Sequence, residues 1–150
     1  MKGNTLDLEA SNFVLGRTLS ECLPSLAVKL LAEGYDSSAL RMLAGLTESQ
    51  MDEAGPLFKQ ALLEIGCSLP SPREAVLRLA RETAMQILQG EIAPYEGGKR
   101  IWDLSLKIDH VVPELHPFVY AASEWEDRPE DRPLFERGIL EEARVLVVDD

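Results

Sequence analysis

No apolar run in this chain approaches the roughly 20 residues that a membrane-spanning helix needs. The C-terminal VLVV, residues 145–148, is too short to anchor anything. The opening stretch, MKGNTLDLEA, lacks the charged-then-apolar order of a secretory signal, so a cytoplasmic protein is expected. Cysteine is scarce: Cys22 and Cys67 stand far apart, with no CxxC. Each falls in a segment that reads as helix, and both read as reduced, mostly buried thiols acting as small hydrophobes. A disulfide would need an oxidising compartment, of which the sequence gives no sign. Strict polar–apolar alternation is missing too, since no stretch of six or more residues alternates like a strand. Only ARVLVVDD is ambiguous, and a short extended tail is expected over 145–150.

Signatures of chemistry are equally sparse. PYEGGKRIW, from Pro94 to Trp102, has the glycines and cations of a phosphate loop. A phosphate loop needs Gly, four residues, Gly-Lys, then Ser or Thr after a strand. Counting back from Gly98-Lys99 places Ala93 at the first glycine position, Arg100 stands where the hydroxyl should be, and no strand precedes. The dinucleotide pattern GxGxxG is absent. The structural reading is that Gly90 ends one helix, Pro94 to Gly98 form a turn, and Lys99 and Arg100 lie in the first turn of the next helix. Its core face then begins at Ile101, with Trp102 packing on that turn. His110 and His116 are six apart, not the three or four of one helix face. With Asp109 and Glu114 close in sequence, a weak cation site is the most that DHVVPELHP offers, and its prolines Pro113 and Pro117 place each histidine at a helix end. No GxSxG occurs. No catalytic residue, cofactor or metal ligand is therefore expected, and no enzyme.

What the chain does have is helical period. Its 150 residues suit one domain, 1–150, and its 45 % hydrophobic content is ordinary for a globular protein. Leu19, Leu23, Leu26 and Leu30 make one apolar face; Ala54, Leu57, Phe58, Ala61, Leu62 and Ile65 make another. Val76, Leu79, Ala80, Thr83 and Ile87 follow, then Ile101, Leu104 and Ile108. Leu115, Phe118, Val119, Ala122 and Trp125 come next, and Phe135, Ile139, Ala143 and Leu146 close the series. Punctuation agrees with period. Ser71-Pro72-Arg73-Glu74 is a helix start, and Thr47–Gln50 is a capping box followed by Pro56, which predicts a short first turn or a kink. Gly34, Gly66 and Gly90 each follow a periodic run. Asp36 or Ser37 can cap a short helix, and Asp131 the last one, with Pro133 in its first turn. The sequence predicts an all-α fold of seven or eight helices, its longest irregular stretches at about 90–97 and 126–132.

EGYDSSALRMLAGL, ALLEIG with LPSPREAV, and ILQGEIAPYEGGKRIW occur in this order over about 34–102. In this the chain resembles a group of small uncharacterised bacterial proteins with Leu-Arg-x-Leu-Ala-Gly-Leu, Leu-x-Glu-Leu-Gly and Ile-x-x-Gly-x-x-x-Pro, Ile65 here standing where the group has Leu. The resemblance implies an all-helical fold and no transferable activity. Similar small proteins sit near toxin genes, which implies a link to toxin–immunity loci.

Charge is the remaining signal. The net charge is −11, and residues 109–150 carry 12 acidic against 4 basic groups. That balance disfavours nucleic-acid backbones and anionic membranes and favours a basic protein partner. ASEWEDRPEDRPLFER, Ala122 to Arg137, concentrates it, with aromatics and arginines interleaved. Glu124, Trp125, Glu126, Asp127, Glu130 and Asp131 are the candidate partner-binding residues: carboxylates would steer, and the indole would supply desolvated contact. Trp125 also shares a helix face with Leu115, Phe118 and Ala122, which reads as core. The expected function is a non-enzymatic binding protein, such as an immunity or antitoxin-type protein against a basic toxin domain, for instance a nuclease. The other reading is a structural or accessory helical domain, a subunit or a homodimer, whose acidity serves only solubility.

Overall fold

A computed structural model describes residues 5–148 of the chain. The protein is all-α: helix takes up 78 % of it, and no strand occurs among the described residues. Among the described residues there are eight α-helices: α1 (Thr5–Val14), α2 (Leu23–Ala32), α3 (Ser38–Ala44), α4 (Ala54–Ile65), α5 (Pro72–Leu88), α6 (Pro94–Ser105), α7 (His116–Asp127) and α8 (Arg132–Val148). Short 3₁₀ turns precede α2, α4, α7 and α8. The tail expected to be extended is helical as far as Val148, because Leu146 continues the buried face of Phe135, Ile139 and Ala143; residues 149–150 lie outside the described part. The chain divides after Ser71 into two compact units.

In the N-terminal unit, α2 packs on α3 and α3 on α4. The core is built from leucine and alanine at helical spacing: Leu23, Ala27 and Leu30 from α2, Leu40 and Leu43 from α3, Ala54, Phe58, Ala61 and Leu62 from α4. Leu19, expected on the α2 face, is exposed because it precedes a 3₁₀ turn that starts the helix later. α1 joins through Leu6 and Ala10, and its Phe13 ring meets Phe58 edge-on at 5.0 Å. The caps act as their chemistry suggests. Ser37 Oγ accepts from the Leu40 N–H at 3.0 Å, while Asp36 pairs with Arg41 instead. The Thr47 N–H donates to Gln50 Oε1 at 3.0 Å, closing the expected box. Gly66 ends α4 at φ +91°, a conformation that a side chain resists. Cys67 is buried behind it, whereas Cys22 is exposed, in the 3₁₀ turn rather than on a packed helix face.

In the C-terminal unit, α5 packs on α6 and α8, and α7 on α6 and α8. α5 begins at Pro72, as its start signal indicates, and ends at Leu88, with Gly90 at φ +76° turning the chain just beyond it. α6 differs from expectation. Pro94 is its first residue, so PYEGG is the first turn and a half of the helix and not a loop. Gly97 and Gly98 are buried inside it. They are there for packing: a Cβ on Gly97 would lie 2.3 Å from Cγ1 of Ile87 on α5, and one on Gly98 would lie 3.1 Å from Cδ1 of Ile139 on α8. Proline at the first helical position costs no hydrogen bond, and glycine lets two backbones approach. The longest irregular stretch is 106–112, not 90–97, because α6 stops at Ser105 and leaves Ile108 outside the helix.

The stacked tryptophan and its carboxylates

The candidate residues lie at the junction of α7 and α8. Glu124, Trp125, Glu126 and Asp127 form the last turn of α7, while Glu130 and Asp131 belong to the 3₁₀ turn Pro129–Asp131 that leads into α8. Three carboxylates and no basic residue occupy that last turn. A helix C-terminus carries partial negative charge and is better served by cations, so each acid there costs a few tenths of a kcal/mol.

Trp125 is neither core nor an exposed anchor. It is half-buried, one turn beyond the buried Phe118, Ala121 and Ala122 of the same helix. The Tyr95 ring from α6 stacks on it at 3.9 Å, nearly parallel at 14°. The Arg132 guanidinium from α8 also lies over the indole, 3.7 Å from the ring centre. The indole N–H donates to Glu136 Oε2 at 3.0 Å, and Arg132 Nε–H donates to the Trp125 carbonyl at 3.0 Å. That carbonyl would otherwise be one of the unpaired groups of a helix end. The side chain thus ties three helices together by stacking and hydrogen bonds.

The carboxylates fall into two sets. Glu126 accepts the Tyr95 hydroxyl and lies 3.9 Å from Lys99 Nζ. The hydrogen bond to that anion, with burial second, raises the Tyr95 pKa above its ordinary value. Arg128 lies 3.5 Å from Glu124 and 2.6 Å from Asp131, and Asp131 beside it raises its pKa. These three carboxylates are therefore partly neutralised within the chain. Asp131, the residue immediately before α8 where a cap was expected, also pairs with Arg128. Asp127 and Glu130 are exposed and make no ion pair among the described residues.

Tyr95, Lys99, Arg132 and Glu136 complete this cluster; Arg132 and Glu136 belong to the acidic stretch Ala122 to Arg137, whereas Tyr95 and Lys99 come from outside it. A signal was present: in a helix that begins at Pro94, Tyr95, Lys99 and Trp102 share one face at the spacing i, i+4, i+7. Lys99 Nζ indeed lies 4.2 Å from the Trp102 ring centre. Taking PYEGG for a turn hid that face. Elsewhere, His110 and His116 are both exposed, and Glu114 is paired with Arg73. No group of three metal-ligating side chains gathers among the described residues, and no helix there is long and apolar enough to cross a membrane. No protein-family model matches the chain, and no curated protein or solved structure does either.

Proposed function

We propose that the chain is a non-enzymatic binding protein whose acidic C-terminal third meets a basic protein partner, as an immunity protein meets a toxin nuclease domain. The observation that carries this reading is the pair Asp127, at the negatively polarised end of α7, and Glu130, in the turn after it, both exposed and without counter-ions among the described residues. Charge kept where it costs stability is explained by a task outside the fold. Steering by such a surface raises association rates, and salt weakens it over about 8 Å at physiological ionic strength. Trp125 serves here as the strut that fixes the end of α7.

One observation favours the second reading, an accessory domain with a merely solvated surface: Glu124, Glu126 and Asp131 already have cations within the chain. Affinity capture from the producing cell, followed by reconstitution with the purified partner, separates the two. A stoichiometric basic partner, associating more slowly as salt rises and losing its own activity on binding, is the expected result. An acidic or neutral partner, or self-association alone, would overturn the proposal.

A further inference from the structure

Away from the stacked tryptophan, a recess of about 140 Å³ opens between the start of α7 and the last turns of α8. Its walls are Pro113, Pro117, Val145 and Leu146, and its polar lining comes from Glu114 and Glu142. The volume is well below the roughly 300–1,000 Å³ of small-molecule sites. It is close to the ~150 Å³ of a cavity that takes one benzene ring, so it suits a single side chain. The two carboxylates are not equivalent. Glu114 is bonded to Arg73, and its pKa is lowered, chiefly by its own backbone N–H, with Arg73 acting in the same direction. Glu142 has no hydrogen-bond or ion-pair partner among the described residues. Of the recess walls, Val145 is exposed.

A recess with proline and valine walls and an unpaired carboxylate matches a long aliphatic stem that ends in a cation. An acidic side chain would be repelled, and a purely apolar one would bury Glu142 unpaired, which is costly. We infer that this recess receives an arginine or lysine side chain of the basic partner, its stem against Pro113, Pro117 and Val145 and its cation at Glu142. The inference rests on the acidic-surface reading above and gives that surface a specificity pocket beyond diffuse charge.

The recess can be tested without the partner. Backbone-amide and methyl NMR of the full chain is titrated with N-acetyl-arginine methylamide, and with the glutamate analogue as control. The expected result is saturable shifts centred on Val145 and Leu146 with the arginine probe and none with the glutamate one. Glu142→Gln should weaken the arginine titration about threefold or more, as loss of one half-exposed charge partner does. The amide spectrum itself reports that the variant is folded. Shifts centred on Asp127 and Glu130 would overturn the recess while leaving the acidic-surface reading in place. Shifts at neither place, or an unchanged titration in Glu142→Gln, would also overturn the recess, and the capture experiment would still judge the broader reading on its own.

Discussion

Helices in the N-terminal unit are joined chiefly by apolar side chains, whereas in the C-terminal unit stacking and charge join them as well. Between α3 and α4, Glu64 makes a polar link, its Oε1 accepting from the Ala39 N–H at 2.9 Å, while the core of the unit holds the fully buried Phe58. Between α6, α7 and α8 stand the Tyr95–Trp125 stack, the Trp125–Glu136 bond, the Arg132–Trp125 bond and the Lys99–Glu126 pair. The difference follows from side-chain volume. α6 brings two glycines to its neighbours and so offers little apolar surface there. Beyond the buried Ile101 and Leu104, its attachment comes from the aromatic and charged residues on its rim.

The sharpest break between these two kinds of attachment is a pair of aromatic truncations. Phe58→Ala removes a ring sealed inside the N-terminal unit and should cost about 3–5 kcal/mol. Trp125→Ala removes a half-buried ring and should cost about 1–2 kcal/mol, mostly the stack and one hydrogen bond. Denaturant unfolding of both variants checks this. Equal losses would mean that Trp125 is core after all and that the contrast is false.

A second pair uses one substitution in opposite environments. Gly97→Ala places a methyl against Ile87, which is itself buried and has nowhere to go, and should destabilise by about 1–3 kcal/mol. Gly55→Ala in α4 and Gly138→Ala in α8 meet nothing within 4 Å, so helix propensity alone acts on them. They should stabilise by about 0.5–1 kcal/mol. Thermal melts that gave all three the same sign would end the idea that α6 is a close-approach helix.

These contrasts also mark what the sequence makes legible. Ala54, Phe58, Ala61 and Leu62, or Phe135, Ile139, Ala143 and Leu146, can be found in advance because burial repeats every three to four residues. Ser37 and Gly66 are legible because a cap is a local event. Gly97 and Gly98 are not: glycine signals a turn locally, and its other use, close approach, depends on Ile87 and Ile139 from distant segments. The same holds at the candidate site. That the stretch from Glu124 to Asp131 is rich in acids is plain from the sequence, but Tyr95 and Lys99, which engage Glu126, arrive from another helix. Ile108 misled for a related reason, since one more apolar residue at the right spacing looks like one more turn. α1 offers too little to read, burying only Leu6, Ala10 and Ser11.

Acid sharpens the comparison in the N-terminal unit. The Glu64 pKa is lowered, chiefly by the Ala39 N–H and then by Gln60. A carboxylate with a depressed folded pKa contributes stability that is present above its unfolded value. That contribution is lost as pH falls through the folded value, hence below about pH 4.5. Glu64→Gln should therefore lower the melting temperature slightly at neutral pH and flatten the acid limb of the melting-temperature curve. An acid limb of unchanged steepness in the variant would show that the link between α3 and α4 carries no charge dependence.

The smallest effect on folding should come from the residues that matter most to the proposed function. Asp127 and Glu130 pair with no cation among the described residues, and Asp127 closes the last turn of α7, where the backbone is negatively polarised. Asp127→Lys with Glu130→Lys should leave stability within about 0.5 kcal/mol, with a slight gain from the helix dipole, because exposed substitutions rarely do more. Glu126→Lys serves as the contrast. It would set a cation against Lys99 and remove the acceptor of the Tyr95 hydroxyl, so it should destabilise measurably more than the double variant. Association should rank the other way. The double reversal should slow binding to the reconstituted basic partner, most at low salt, where wild-type steering is strongest. If the double reversal associates as fast as wild type at low salt, Asp127 and Glu130 are solvated surface and the acidic end of α7 has no part in recognition.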